Sequence, residues 1–333
     1  MRILAIESSC DETAAAVIVG GRQIRSNVVA SQSELHAETG GIVPEVAARA
    51  HLRVLLPVVR QALADAEVGW DEIDAVAATA GPGLPGALVV GFNAARGIAY
   101  ARSLPLIPVD HIEGHVRANW LNTDGIGKPP PLPALALVIS GGHTELLLMD
   151  EGGALHRLGG TRDDAAGEAF DKVARLLGLA YPGGPEISRL AATATERTFR
   201  LPRAWLRGSD DFSFSGLKTA VLHAVQSEAA PPAEIAWAFE ESVADVLSKK
   251  AARAAEREDV ASLLVAGGVA ANRRIRELVR QRASAPVFIP PPLLCTDNAA
   301  MIGAAAEVHQ DAAIAPQAAI DIDPTPYRSR IRR

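Results

Sequence analysis

His111 and His115 stand four residues apart in Asp110-His111-Ile112-Glu113-Gly114-His115, directly after the apolar stretch Leu106 to Val109. The stretch reads as the start of a helix reaching about Leu121, with Asp110 as N-cap and Glu113 as the reciprocal partner of a capping box. On a helix the two histidines share a face, with Cβ atoms about 5–6 Å apart. That spacing suits two imidazoles on one metal ion, although one packed and one solvated histidine produce the same pattern. Asp297, in Cys295-Thr296-Asp297-Asn298, reads as the N-cap of the last helix. As a third ligand it would complete two imidazoles and one carboxylate, leaving positions open for a substrate oxygen. Such a donor set suits non-haem Fe(II), and Zn(II) nearly as well. It is not the metallopeptidase pattern, because H-E-x-x-H needs glutamate where Ile112 stands.

Anion chemistry points to two short turns. Ser8, Ser9 and Thr13 occupy one, and Ser140, Gly141, Gly142 and Thr144 the other. Hydroxyls and unhindered backbone N–H groups between strands make good phosphate clamps, and the presence of two related turns favours that use. Asp11 and Glu12, at the tip of the first turn, offer a carboxylate to orient a nucleophile or accept a proton, or serve as ordinary turn residues. Gly81-Pro82-Gly83-Leu84-Pro85-Gly86 imitates the dinucleotide fingerprint. Its two prolines remove N–H donors that a pyrophosphate would need, so that reading is disfavoured. No G-x-x-x-x-G-K-[ST] loop occurs. Gly267 to Asn272 follows a buried strand and opens a helix, a geometry that can close over a nucleoside with Asn272 as polar contact. Pro182-Gly183-Gly184-Pro185 is a second permissive loop, beyond Phe170-Asp171-Lys172.

The elements that must hold these residues come in two similar runs. Residues 2–7, 14–19 and 23–30 read as a three-strand meander, followed by helix 44–66, strand 73–80, helix 84–100 and strand 106–109. After the proline cluster Pro129-Pro130-Pro131 and Pro133 the pattern restarts, with strands at 134–139, 144–149 and 154–159. A shift of 131 residues matches Leu4 with Leu135, Ser9 with Ser140, Thr13 with Thr144 and Gly21 with Gly152. This predicts an internal duplication: two α/β lobes, 1–122 and 134–333, joined by a linker at 123–133, with a ligand crevice between them. Further helices are predicted at 166–177, 185–194, 234–258, 270–282 and from Thr296 or Asp297 to about Val308, with strands at 262–266 and 286–289.

Composition narrows the class. The 333 residues are 48% hydrophobic and only 4% aromatic, with a formal charge of −6, which excludes a protein that coats nucleic acid along its whole surface. RNA contact must be local: Arg197, Arg200, Arg203, Arg207 and Lys218 are one set of cations, and Arg328, Arg330, Arg332 and Arg333 another. Cys10 and Cys295 are too few for a disulfide framework, and neither a signal peptide nor a membrane span is legible, so a cytoplasmic location is expected.

Taken in order, these motifs resemble the TsaD (YgjD) type tRNA threonylcarbamoyladenosine synthase family. The matching stretches are Ile6 to Thr13, Gly41 to His51, Gly81 to Gly86, Asp110 to His115, Ser140 to Thr144, Gly167 to Lys172, Tyr181 to Pro185, Phe212 to Thr219, Gly267 to Asn272 and Thr296 to Asn298. They span nearly the whole chain. The resemblance implies an actin-like ATPase fold and a metal, iron or zinc, on His111, His115 and Asp297. It implies nucleotide contacts at Val138, Ile139, Ser140, Gly141, Gly142, Asp171, Gly184 and Asn272, where Mg²⁺ can accompany the nucleotide. Some relatives carry aspartate where Ser188 stands. The implied reaction moves a threonylcarbamoyl group from threonylcarbamoyl-AMP, made by a partner synthase, to N6 of the adenosine beside the anticodon in tRNAs reading codons that begin with A. Asp11 is the expected catalytic carboxylate, and TsaB-like and TsaE-like proteins are the expected partners. The competing readings are a small-molecule kinase of the same fold, which needs no histidine pair, and a non-catalytic scaffold subunit.

Overall fold

The computed structural model describes residues 1–37, 40–122, 128–318 and 321–325. It divides into two units: unit 1 is Met1–Pro129 with Asp297–Arg333, and unit 2 is Pro130–Thr296.

Unit 1 opens with the meander β1 (Arg2–Glu7), β2 (Glu12–Val19) and β3 (Gln23–Ser31), then α1 (Ser33–Ala37), α2 (Pro44–Asp65), β4 (Ala75–Gly81), α3 (Pro85–Arg102), β5 (Leu106–Asp110) and α4 (His111–Arg117). The sheet order is β3-β2-β1-β4-β5, with β4 parallel to both β1 and β5. β1 is central, and its residues Ile3 to Ile6 are buried on both faces, which is why it reads as a continuous apolar run. Pro44 starts α2, where a missing N–H costs nothing. Leu55, Val59 and Phe92 cover one face of the sheet in a core with Leu4, Ile6, Val17 and Val76. The helix α4 is shorter than the sequence suggested, passing into a 3-10 turn at Ala118–Trp120.

Unit 2 repeats the plan: β6 (Ala134–Ile139), β7 (Thr144–Met149), β8 (Leu155–Gly160), α5 (Ala166–Leu176), α6 (Gly183–Ala192), α7 (Ser215–Gln226), α8 (Pro232–Arg257), β9 (Ser262–Ala266), α9 (Arg273–Arg282), β10 (Val287–Phe288) and α10 (Pro292–Cys295). Its sheet order, β10-β9-β6-β7-β8, is that of unit 1. The 131-residue offset extends to hydrogen-bond register: Leu4 faces Val17 across β1 and β2, and Leu135 faces Leu148 across β6 and β7. A register slip would turn every side chain to the other face, so the duplication is structural and not a chance of composition.

The last helix, α11 (Ala299–Val308), belongs to unit 1. It packs on α4, β1 and β2. The sequence division carried the second lobe to residue 333. The apolar face of α11 is buried in unit 1 instead, so the chain leaves unit 2 at Thr296. Among the described residues no helix is long and apolar enough to cross a membrane.

Candidate metal centre and nucleotide loops

Asp110 caps α4 as predicted, its Oδ1 accepting from the N–H groups of Ile112 (2.8 Å) and Glu113 (3.1 Å). The second half of the expected capping box is spent elsewhere. Glu113 pairs with Arg117 (3.3 Å) and with His309 Nε2 (2.7 Å) at the C-terminal end of α11. The cap sets the first turn of α4 and with it both histidines. Gly114, between them, lets α11 approach: a Cβ there would come within 2.9 Å of Ile302 Cδ1. Asn298, not Asp297, is the N-cap of α11, its side chain accepting from Met301 N. The predicted cap is thus off by one residue, and the difference turns Asp297 toward α4.

The three predicted ligands come together. Asp297 Oδ1 lies 3.1 Å from His115 Nε2 and 3.7 Å from His111 Nε2, and ligand atoms of all three fall within 4.8 Å of one another. The imidazole rings are 4.6 Å apart and nearly perpendicular, at 77°. His115 is fully buried, and neither ring nitrogen has a hydrogen-bond partner among the described residues. A buried imidazole with both nitrogens unsatisfied is costly unless a ligand completes it. Donors about 2.0–2.2 Å from a common ion would sit about 3 Å apart, so the cluster fits a metal ion.

Beneath it lies a residue the sequence reading did not single out. Glu7, at the end of β1 and wholly buried, receives Ser9 N (2.5 Å), Thr79 Oγ1 (2.5 Å) and His111 Nδ1 (3.2 Å). A carboxylate only accepts, so Nδ1 carries the proton donated to Glu7, and Nε2 is the nitrogen facing Asp297. Burial alone would push the Glu7 carboxyl up and the His111 imidazole down. The mutual attraction outweighs it: Glu7 is held below its ordinary range, and His111, with Asp297 adding to Glu7, rises to about 9. A glutamate inside an otherwise apolar strand was the available signal.

The first turn differs from expectation. Ser8 Oγ donates to Ala87 O (2.9 Å), Ser9 Oγ sits 3.2 Å from His111 Nδ1, and Thr13 Oγ1 bonds His51 Nδ1 (2.7 Å). All three hydroxyls are buried and spent on protein partners, Ser9 on His111 itself, so they do not form a phosphate clamp. His51 is held through Nε2 to Cys10 O (3.0 Å), and burial lowers its pKa. Asp11 is partly buried next to this cluster. Burial, then the charge of Asp297, push its carboxyl above the ordinary range, and Glu12 beside it rises to about 7, chiefly through burial. The glycines of the dinucleotide imitation have a packing use. A Cβ on Gly83 would stand 2.6 Å from Ser9 O, and one on Gly81 would overlap Asp323 O.

In unit 2 the equivalent turn is open. Val138 and Ile139 are buried in β6, Ser140 Oγ accepts from His143 N (3.1 Å), and Gly141 and Gly142 are exposed with nothing within 4 Å of an added Cβ. Asp171 Oδ1 holds Gly183 N (2.7 Å) at the start of α6, and the next residue, Gly184, is also open. Asn272 caps α9 through Ile275 N (3.0 Å). Its carboxamide nitrogen is bound to Ser188 Oγ (3.0 Å) and Glu240 Oε1 (2.8 Å). The basic set is mostly committed to unit 2 itself: Arg203 pairs with Asp245 (3.2 Å), Arg200 stacks on Trp237 (5.1 Å), and Lys218 lies 3.9 Å from Asp164. Arg328, Arg330, Arg332 and Arg333 lie outside the described residues.

Two sheets of one topology define a duplicated α/β fold, and solved structures share it. (R)-2-hydroxyglutaryl-CoA dehydratase component A from Acidaminococcus fermentans aligns with a TM-score of 0.58 at 16% identity, over 94% of this chain and 99% of that one. HypF of T. kodakarensis aligns at 0.63 and 16%, over 93% of this chain and 48% of that one. The chain therefore has the actin-like ATPase fold. Sequence comparison gives the particular family. The family model for TsaD, tRNA N6-adenosine threonylcarbamoyltransferase, matches residues 23–304. A protein of that name from Dehalococcoides mccartyi is 54% identical over 303 residues, 91% of each chain. One from Bacillus cereus is 53% identical over 317 residues, 92% of this chain and 90% of that one. The chain belongs to the TsaD family.

Proposed function

We propose that this protein transfers the threonylcarbamoyl group of threonylcarbamoyl-AMP to N6 of the adenosine beside the anticodon in tRNAs that read codons beginning with A, releasing AMP. Family membership supports the reaction class, and the buried His111–His115–Asp297 cluster, with both His115 nitrogens unsatisfied, is the observation that carries it to this chain. The three side chains hold one divalent metal, Fe(II) first and Zn(II) as the alternative. When bound, such an ion draws electron density from a carbonyl or phosphate oxygen as a Lewis acid.

The chain's own residues do the rest. The open backbone at Gly141, Gly142 and Gly184 takes the nucleotide, Mg²⁺ accompanying its phosphate, with Asp171 fixing the α6 start. The exocyclic amine is a weak nucleophile and must lose a proton as the C–N bond forms and the carbamoyl–phosphate bond breaks. Asp11 receives that proton, and its upward pKa shift, from burial and the nearby Asp297 charge, makes its carboxylate a stronger base. The protein works in the cytoplasm with tRNA, with a synthase that supplies the acyl-adenylate, and with TsaB-like and TsaE-like partners. A phosphorylating or purely structural role would leave the histidine cluster without a use. Single-turnover transfer to unmodified tRNA, wild type beside His111→Ala, tests the reading. Loss of transfer in the variant, with acyl-adenylate still bound, is expected. Full transfer by the variant would defeat it.

A further inference from the structure

Ser188 from α6, Glu240 from α8 and Asn272 at the start of α9 bring three polar side chains to one point in unit 2. Their hydrogen-bonding capacity is almost fully spent internally. The Asn272 oxygen caps α9, and its two N–H groups go to Ser188 Oγ (3.0 Å) and Glu240 Oε1 (2.8 Å). Ser188 Oγ accepts from Asn272 and donates to Glu240 Oε1 (2.6 Å). Glu240 Oε1 therefore accepts twice, while Oε2 has no hydrogen-bond partner among the described residues and is not sealed from solvent. Both N–H groups of Asn272 are committed, so it has no donor left to offer a ligand. The charged acceptor that the trio leaves without a hydrogen bond is one carboxylate oxygen, Glu240 Oε2.

We propose that Glu240 is a nucleotide-binding residue, its Oε2 accepting a hydrogen bond from the ribose hydroxyls of the adenylate, with Ser188 and Asn272 as the residues that position it. The proposal rests on the adenylate-binding reading of unit 2. Charge assigns the ligand part. A carboxylate repels phosphate, which the open Gly141–Gly142 backbone suits, and attracts neutral donors, of which a vicinal diol is the natural match. Two internal hydrogen bonds onto Oε1 fix the carboxylate plane before any ligand arrives, so little rotamer entropy is lost on binding.

The test compares AMP with 2′,3′-dideoxy-AMP, titrated calorimetrically into the full chain and into Glu240→Gln. A hydrogen bond to a charged group predicts that the wild type prefers AMP by roughly 10- to 100-fold. Glu240→Gln keeps the side-chain shape and should lose that preference, with dideoxy-AMP affinity unchanged. A wild type that binds both nucleotides equally, or a variant weakened equally for both, overturns the role of Glu240 and leaves nucleotide binding standing. A wild type that binds neither overturns the adenylate reading and this proposal together. Thermal unfolding of the variant separates the readouts: a merely structural tie would lower the melting temperature without touching the ribose preference.

Discussion

The turn between β1 and β2 and the turn between β6 and β7 occupy the same place in two sheets of one topology and one register. Their side chains do opposite things. In unit 1, Ser8, Ser9 and Thr13 are folded inward onto Ala87, His111 and His51, and Glu7 completes a buried polar base under the histidines. In unit 2, Ser140 and Thr144 only close the turn and seat Ala166 N, while Gly141 and Gly142 face solvent unobstructed. Duplication preserved the backbone and let the side chains diverge, one copy seating a histidine on buried polar groups and the other leaving its glycines exposed.

That contrast can be broken most severely at the metal cluster. His115→Ala removes one of three donors and should lower metal occupancy and transfer by at least about 100-fold, read by metal analysis and single-turnover assay, while AMP binding to unit 2 stays as it was. A parallel loss of AMP binding would show that the two turns are not separate in function. Glu7→Gln keeps the shape and removes the charge behind His111 Nδ1. It should weaken metal binding about 10- to 100-fold in a chelator competition.

Two glycine substitutions probe the turns themselves. Gly142→Ala meets no protein atom within 4 Å and needs no left-handed backbone, so stability should hold while nucleotide affinity falls about 10-fold, as a methyl group enters the ligand's approach. Gly83→Ala places a Cβ 2.6 Å from Ser9 O, so it should cost about 1–3 kcal/mol of stability in denaturant unfolding and disturb the turn that touches His111. The smallest effect is electrostatic. The Glu113 carboxylate raises the His309 pKa above its ordinary 6.5. The pair therefore contributes fully below pH 6.5 and its contribution is lost as pH rises through the raised pKa. With His309 40% exposed, His309→Gln should remove less than about 1 kcal/mol, seen below pH 6.5 and absent well above it.

Much of the fold was legible because it is local. Glycine hairpins, a proline at the start of α2 and buried apolar runs mark their own elements, and the 131-residue offset marks the repeat. What escaped depends on contacts distant in sequence. α7 was not predicted, because its cap comes from Asp163, whose Oδ1 accepts from Phe214 N (2.8 Å) and Ser215 N (3.3 Å). The Asp297-to-Asn298 shift in the α11 cap is a choice between two good capping residues that only packing decides. Histidine spacing announced that two imidazoles meet on one face of α4. Glu7 stayed hidden because its partners, His111 and Thr79, are brought to it by the sheet. Similarly, Asn272 was legible as a polar contact, but its full commitment to Ser188 and Glu240 follows from three helices meeting.

The proposed acyl transfer depends on an ion held by two imidazoles and a carboxylate. Its most direct test is transfer from threonylcarbamoyl-AMP to unmodified tRNA by chain stripped of metal and then refilled. The stripped protein should show no transfer, with recovery on one equivalent of Fe(II) or Zn(II) in the wild type but not in His115→Ala. Transfer at full rate by stripped protein would contradict it.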